Sequence, residues 1–159
     1  MKAVTVKQLK EELNARSHNE ILELCLRLSR FKKENKELLT YLLFESADES
    51  AYIESVKQHM DEQFELINTS SYYFIRKSMR KILTATKKYI RYSQQKETEV
   101  ELLLYFCKKL NTFKPSIKSS VRLQNVYLRQ IALIKKTVAT LHEDLQYDYN
   151  IALDSLEED

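Results

Sequence analysis

Residues 71–92, SYYFIRKSMRKILTATKKYIRY, alternate short groups of apolar residues with pairs of cations. Helical geometry advances about 100° per residue, which gathers Ile75, Met79, Ile82, Leu83, Tyr89 and Ile90 on one arc. On the other side, counted from Arg76, Lys87, Arg80 and Arg91 fall at about 20°, 40° and 60°, and Lys77, Lys88 and Lys81 at about 100°, 120° and 140°. The segment is therefore a helix with one apolar face and one purely cationic face. The run Asn68, Thr69, Ser70, Ser71 before it is a turn of side chains that bond their own backbone, with Ser70 or Ser71 as the cap.

Composition extends that helical reading to the whole chain. The 159 residues contain no glycine and a single proline, Pro115. Tight hairpin turns need glycine or asparagine at positive φ, and no Asn-Gly or Asp-Gly pair occurs, so a β-rich fold is excluded. The expected class is all-α, one all-helical domain over residues 1–159. The same absence removes the phosphate-binding loop, the dinucleotide-binding turn and the nucleophile elbow, each of which needs glycine where backbone approaches ligand.

Punctuation places seven helices. Thr5 with Gln8 and Ser17 with Glu20 are capping-box pairs, which start helices at about 6 and 18. The second carries Ile21, Leu22, Leu24, Cys25 and Leu28 as a buried face, and both Cys25 and Cys107 are read as small apolar fillers. A third follows through Leu38, Leu39, Leu42 and Leu43. A fourth runs from the start marked by Ser46, Asp48 and Glu49 to Asn68, burying Tyr52, Ile53, Val56, Met60, Phe64 and Ile67. The fifth is the segment quoted above. The sixth, Thr98 to Asn111, buries Val100, Leu103, Leu104, Cys107 and Leu110.

Pro115 is placed in the first turn of a seventh helix, where its missing amide costs nothing. Ile131, Ile134, Val138, Leu141, Leu145, Ala152 and Leu156 keep near-heptad spacing, so this helix either runs well past 30 residues or breaks near the polar stretch from Asp144 to Asn150. Its end, 143–159, reads as an acidic helical extension or tail. Short connections pair the helices as antiparallel hairpins, giving a small α-solenoid or a helical bundle. A shift of 82 residues superposes Cys25 on Cys107, Leu28 on Leu110, Phe31 on Phe113 and Lys32 on Lys114, an echo that resembles HEAT or armadillo-like helical repeats.

The stretch Leu24 to Phe44, LCLRLSRFKKENKELLTYLLF, followed by NTSSYY at Asn68 to Tyr73, resembles a family of small all-helical bacterial proteins of unassigned function. The resemblance covers about the first 110 residues. It implies the fold class and carries no active-site residues.

Charge is sorted along the chain. Residues 1–65 hold ten Lys and Arg against thirteen acids, 66–136 sixteen against three, and 137–159 none against seven, for net charges of −3, +13 and −7. Like charges at i, i+4 repel by a few tenths of a kcal/mol, so the cationic face Arg76, Lys77, Arg80, Lys81, Lys87, Lys88 and Arg91 calls for an anion. Three sources are open: an acidic partner protein, the chain's own acidic end, or nucleic acid, with Tyr72, Tyr73 and Tyr92 at the helix ends able to stack on bases. The apolar stripe of the last helix adds self-association through the C-terminal helix as a further expectation.

Catalytic and metal chemistry find little footing. His59 and Glu62 sit three apart on one helix, but a di-metal bundle needs matching carboxylates and a second histidine on facing helices, and no Glu-x-x-His occurs. No segment resembles a signal peptide, and the longest apolar run, Leu102 to Cys107, is six residues against the roughly 20 of a membrane span. The expectation is a cytoplasmic, non-enzymatic helical interaction module, a scaffold or adaptor with no cofactor, no metal and no membrane partner. The alternative is a nucleic-acid-binding protein acting through the basic 76–96 face.

Overall fold

The computed structural model describes residues 1–158, without the side chains of Glu157 and Glu158. Helix makes up 81% of the chain, and no strand occurs among the described residues, which establishes the all-α class. Among the described residues eight α-helices fall into two compact units, Met1–Phe44 and Glu45–Asp159.

The first unit contains α1 (Val6–Asn14), α2 (His18–Phe31) and α3 (Lys33–Thr40), and a π-helical turn, Tyr41–Glu45, runs across its end. Both capping boxes form. The Gln8 amide donates to Thr5 Oγ1 at 3.3 Å and Thr5 N–H to Gln8 Oε1 at 3.1 Å; the Ser17 N–H donates to Glu20 Oε2 at 2.8 Å. Each box satisfies amides that a helix start leaves free, which is why local sequence places these boundaries correctly. Burial is another matter. No residue of α1, α2 or α3 is buried. The face expected to be covered on α2 is open instead, with Leu22, Leu24 and Leu28 exposed at 48%, 41% and 59%, and Cys25 exposed as well. Amphipathic spacing shows which face a helix can bury, and only a neighbour can bury it.

The second unit contains α4 (Glu49–Glu65), α5 (Tyr72–Ser93), α6 (Lys96–Thr112), a 3₁₀ turn (Ile117–Ser119), α7 (Val121–Val138) and α8 (Glu143–Glu158). Helix α6 is the hub and packs against α4, α5, α7 and α8. In a stacked helical repeat each pair touches only its neighbours, whereas here one helix serves the other four. Its buried residues Thr98, Val100, Leu102, Leu103, Phe106, Cys107 and Leu110 cover an arc of about 200°. Leu102 and Phe106 extend the single stripe expected from the sequence. Two apolar clusters meet on α6. Phe106 and Leu110 join Met60, Phe64, Ile75, Met79, Ile82 and Leu123, while Val100, Leu103 and Cys107 join Ile131, Ile134, Val138, Leu153 and Leu156.

Polar contacts tie the helix ends. The Glu49 carboxylate at the start of α4 accepts hydrogen bonds from the Ser93 and Thr98 hydroxyls, joining the end of α5 to the start of α6. The Tyr52 hydroxyl donates to the Tyr89 carbonyl at 3.0 Å.

One expectation for the C-terminal third is corrected, and one alternative is decided. Pro115 lies in the non-helical link before the 3₁₀ turn, and α7 starts six residues later at Val121. The long last helix is two helices. The chain breaks at Thr140–His142, before the polar stretch, and α8 then carries that stretch as its first half. The break is internally satisfied, since Thr140 N–H and Oγ1 both donate to the Thr137 carbonyl at 2.9 and 2.7 Å, and Gln146 Nε2 donates to the Leu141 carbonyl at 2.7 Å. Folding back lets α8 bury Leu153 and Leu156. The stripe from Ile131 to Leu156, read as a surface for self-association, is therefore covered within the second unit.

Candidate interaction surface

Helix α5 is anchored by Ile75, Met79 and Ile82, which are 1%, 0% and 5% exposed. These fix its rotation and turn the cations outward. Thr86 is buried beside them and satisfies its hydroxyl by donating to the Ile82 carbonyl at 3.0 Å. The helix ends at Gln94, whose backbone adopts the left-handed conformation, φ 58°, and whose N–H donates to the Ile90 carbonyl at 2.9 Å. Glycine usually fills this position, and a chain without glycine must use another residue.

On the opposite side Lys77, Arg80, Lys81, Lys87 and Arg91 are exposed, and Arg76 and Lys88 are half-buried. Among the described residues no carboxylate pairs with Arg76, Lys77, Arg80, Lys81, Lys87 or Arg91. The Lys88 ammonium sits 5.1 Å from the centre of the Tyr89 ring. Tyr73 and Phe74, exposed at 60% and 42%, meet edge to face at 5.3 Å at the N-terminal end of the same helix. Tyr72, by contrast, turns inward, and its hydroxyl donates to the Ser116 carbonyl at 2.9 Å.

The described carboxylates of the acidic end form no pair with this face. Helix α8 packs on α6 and α7, held by Tyr127 Oη and Asn111 Nδ2 donating to the Leu156 carbonyl at 3.1 and 3.3 Å. Of its described carboxylates, Asp144 lies 3.5 Å from His142, and none of Glu143, Asp144, Asp148 and Asp154 reaches an α5 cation. Glu157, Glu158 and Asp159 of the same expectation lie outside the described side chains.

A second polar feature was not legible in the sequence. A groove of about 570 Å³ between α4, α6 and α8 is lined by Lys57, Glu101, Tyr105, Asp148 and Tyr149. Lys57 bridges Glu54 at 2.9 Å and Glu101 at 3.3 Å, and the Tyr149 hydroxyl donates to Glu101 at 3.2 Å. Burial pulls the Lys57 ammonium down, but the Glu54 and Glu101 carboxylates outweigh it and raise its pKa. Burial first, then the Glu101 charge, pushes the Tyr149 phenol upward. These residues come from three helices far apart in the chain, so no spacing in the sequence announces them. They read as a network that positions α8, since each donor already has an acceptor within the unit. His59 and Glu62 stand 3.8 Å apart, and no group of three His, Cys, Asp or Glu among the described residues is arranged to hold a metal ion.

The fold defines an all-α protein, and among the described residues Lys77, Arg80, Lys81, Lys87 and Arg91 lie exposed along one side of α5. Comparison with protein-family models, with curated proteins and with solved structures finds no match. No helix among the described residues is long and apolar enough to cross a membrane.

Proposed function

We propose that this chain is a non-enzymatic helical interaction module that docks an acidic protein surface on the outer face of α5. The observation that carries this reading is the stripe Lys77, Arg80, Lys81, Lys87 and Arg91, exposed and unpaired while the acidic α8 is occupied on α6 and α7. Like charges at helical spacing destabilise the free helix, and an anionic partner relieves that repulsion. The hub arrangement around α6 favours a bundle that presents one helix over a solenoid that presents a concave face. Two unbridged cysteines suit a reducing compartment, and the same reading puts the protein in the cytoplasm. Nucleic acid is the second reading, favoured by the exposed Tyr73 and Phe74 beside the cationic stripe, where bases stack readily.

A capture experiment from native lysate, with and without nuclease, separates the two. The wild type is compared with the variant Arg76→Glu/Arg80→Glu/Lys87→Glu/Arg91→Glu. An acidic protein retained by the wild type, lost by the variant and indifferent to nuclease is the expected result. Release of the captured material by nuclease transfers the assignment to nucleic acid. In that case the log of the duplex-DNA binding constant falls with log salt at a slope of about −3.6, four phosphates at −0.9 each. Identical capture by wild type and variant means the working surface is not α5.

A further inference from the structure

We propose that the groove between α1 and α2 is a two-fold homodimer interface, occupied by the same groove of a second copy of this chain. The interface is separate from the cationic face of α5. The groove measures about 830 Å³ and is lined by Leu9, Leu13 and Leu24 and, along α2, by Glu20, Glu23, Arg27 and Arg30. The three leucines are exposed at 49%, 44% and 41%, although both helices are amphipathic and firmly capped. Apolar side chains left open along amphipathic helices are available to a partner.

The order of charge selects the occupant. Along α2 two acids are followed by two bases, and helical geometry puts all four within an arc of about 80° on the groove side. An acidic partner helix would meet repulsion at Glu20 and Glu23, and a basic one at Arg27 and Arg30. A second α2 running antiparallel meets neither. With the two-fold axis level with Cys25, Glu20 falls opposite the second copy's Arg30, and Glu23 opposite its Arg27, because each pair is equidistant from residue 25. A two-fold axis makes every such pair twice, and it brings the two copies of Leu24 together beside the axis. A parallel arrangement would set like charges against each other.

Within the chain Glu23, Arg27 and Arg30 are available, whereas Glu20 is already shared with Arg16 and the Ser17 cap. Arg16 is engaged by Glu12 at 3.7 Å and Glu20 at 3.4 Å, whereas Glu23, Arg27 and Arg30 form no ion pair among the described residues.

The test is sedimentation of the full chain from about 1 to 200 µM, the range in which modest interfaces assemble. Two single variants are used, Glu23→Arg and Arg27→Glu; Glu20 is spared because it closes the Ser17 capping box. Each variant alone places like charges opposite each other twice, and the dissociation constant is expected to rise at least about tenfold over wild type. An equimolar mixture restores complementary pairs and is expected to form a heterodimer as tight as the wild-type homodimer. Circular dichroism of each variant verifies that helix content is unchanged, and Leu24→Gln provides a further weakening that leaves the charges in place. A wild type that stays monomeric over this range overturns the proposal. So does a mixture that stays monomeric, or variants that dimerise like wild type.

Discussion

The Tyr105 hydroxyl donates to both carboxylate oxygens of Asp61, at 2.7 and 2.8 Å, while Lys109 Nζ reaches the same carboxylate at 2.8 Å. Asp61 belongs to α4 and its two donors to α6, so this trio fastens the hub helix to its neighbour across 44 residues of sequence. Burial works against the Asp61 charge, but donation from Lys109 and Tyr105 outweighs it and holds the carboxyl below its ordinary range. Burial, followed by the Asp61 hydrogen bond and charge, pushes the Tyr105 phenol up to about 12.

These shifts set opposite edges of a stability plateau. Asp61 has a depressed folded pKa, so its contribution is present above the unfolded value of about 3.9 and is lost as pH falls through the folded one. Tyr105 has a raised folded pKa, so its contribution is complete below about pH 10 and is lost as pH climbs towards about 12. Urea midpoints measured against pH should therefore fall at both ends, and Tyr105→Phe should flatten the alkaline fall. Asp61→Asn should flatten the acid fall. At neutral pH the Asp61→Asn change should cost about 1 kcal/mol or less, since the trio is partly solvated. An unchanged alkaline limb in Tyr105→Phe would assign the loss to other phenols, Tyr149 first.

Two leucines at similar helical positions should respond very differently to truncation. Leu103 is 0% exposed between α7 and α8, and Leu103→Ala should lower stability by about 2–5 kcal/mol. Leu28 is 59% exposed, and Leu28→Ala should cost less than about 1 kcal/mol. Chemical denaturation of both variants checks the contrast, and equal losses would refute the burial pattern.

The thiols offer a reading of the same pattern without denaturant. Cys25 is exposed, whereas Cys107 is 0% exposed with its thiol pushed up to about 12 by burial. Titration with a thiol-specific disulfide reagent at neutral pH should modify one cysteine at once and the other only on unfolding. Deleting residues 143–159 strips Leu153 and Leu156 from the cluster that covers Cys107, at about 1.5–3 kcal/mol for each side chain. The second thiol should then react in the native state. Retention of full protection in the truncated chain would show that α8 is not its cover.

Gln94 carries the only positive φ among the described residues, 58°, at the end of the helix that presents the cationic face. A left-handed L-residue costs roughly 1–2 kcal/mol, part of which glycine gives back as unfolded-state entropy. Gln94→Gly should raise stability by about 0.5–1 kcal/mol and leave helix content unchanged. A loss of stability would mean that the Gln94 side chain contributes contacts beyond its backbone role.

Much of the fold was legible locally. Thr5, Ser17 and Asp48 mark helix starts within reach of their own amides, and the apolar rows on α4 and α5 repeat every three or four residues. Those signals involve neighbours a few positions apart, so short-range physics determines them. The candidate face on α5 was legible for the same reason: seven cations and six apolar residues separate onto opposite arcs once helical geometry is applied. The Lys57–Glu101–Tyr149 network was not, because its members meet only after three helices have packed.

By itself, the sequence determined that the chain is helical, where most helices begin, and which side of α5 is cationic, since each depends on local backbone geometry and on the absence of glycine. Only the tertiary structure decided that α6 is the hub, that α8 folds back to cover the stripe from Ile131 to Leu156, and that Leu24 and Leu28 remain open. The physical reason is that periodicity makes a face available for burial, whereas burial itself requires a surface supplied from elsewhere in the chain or from another molecule.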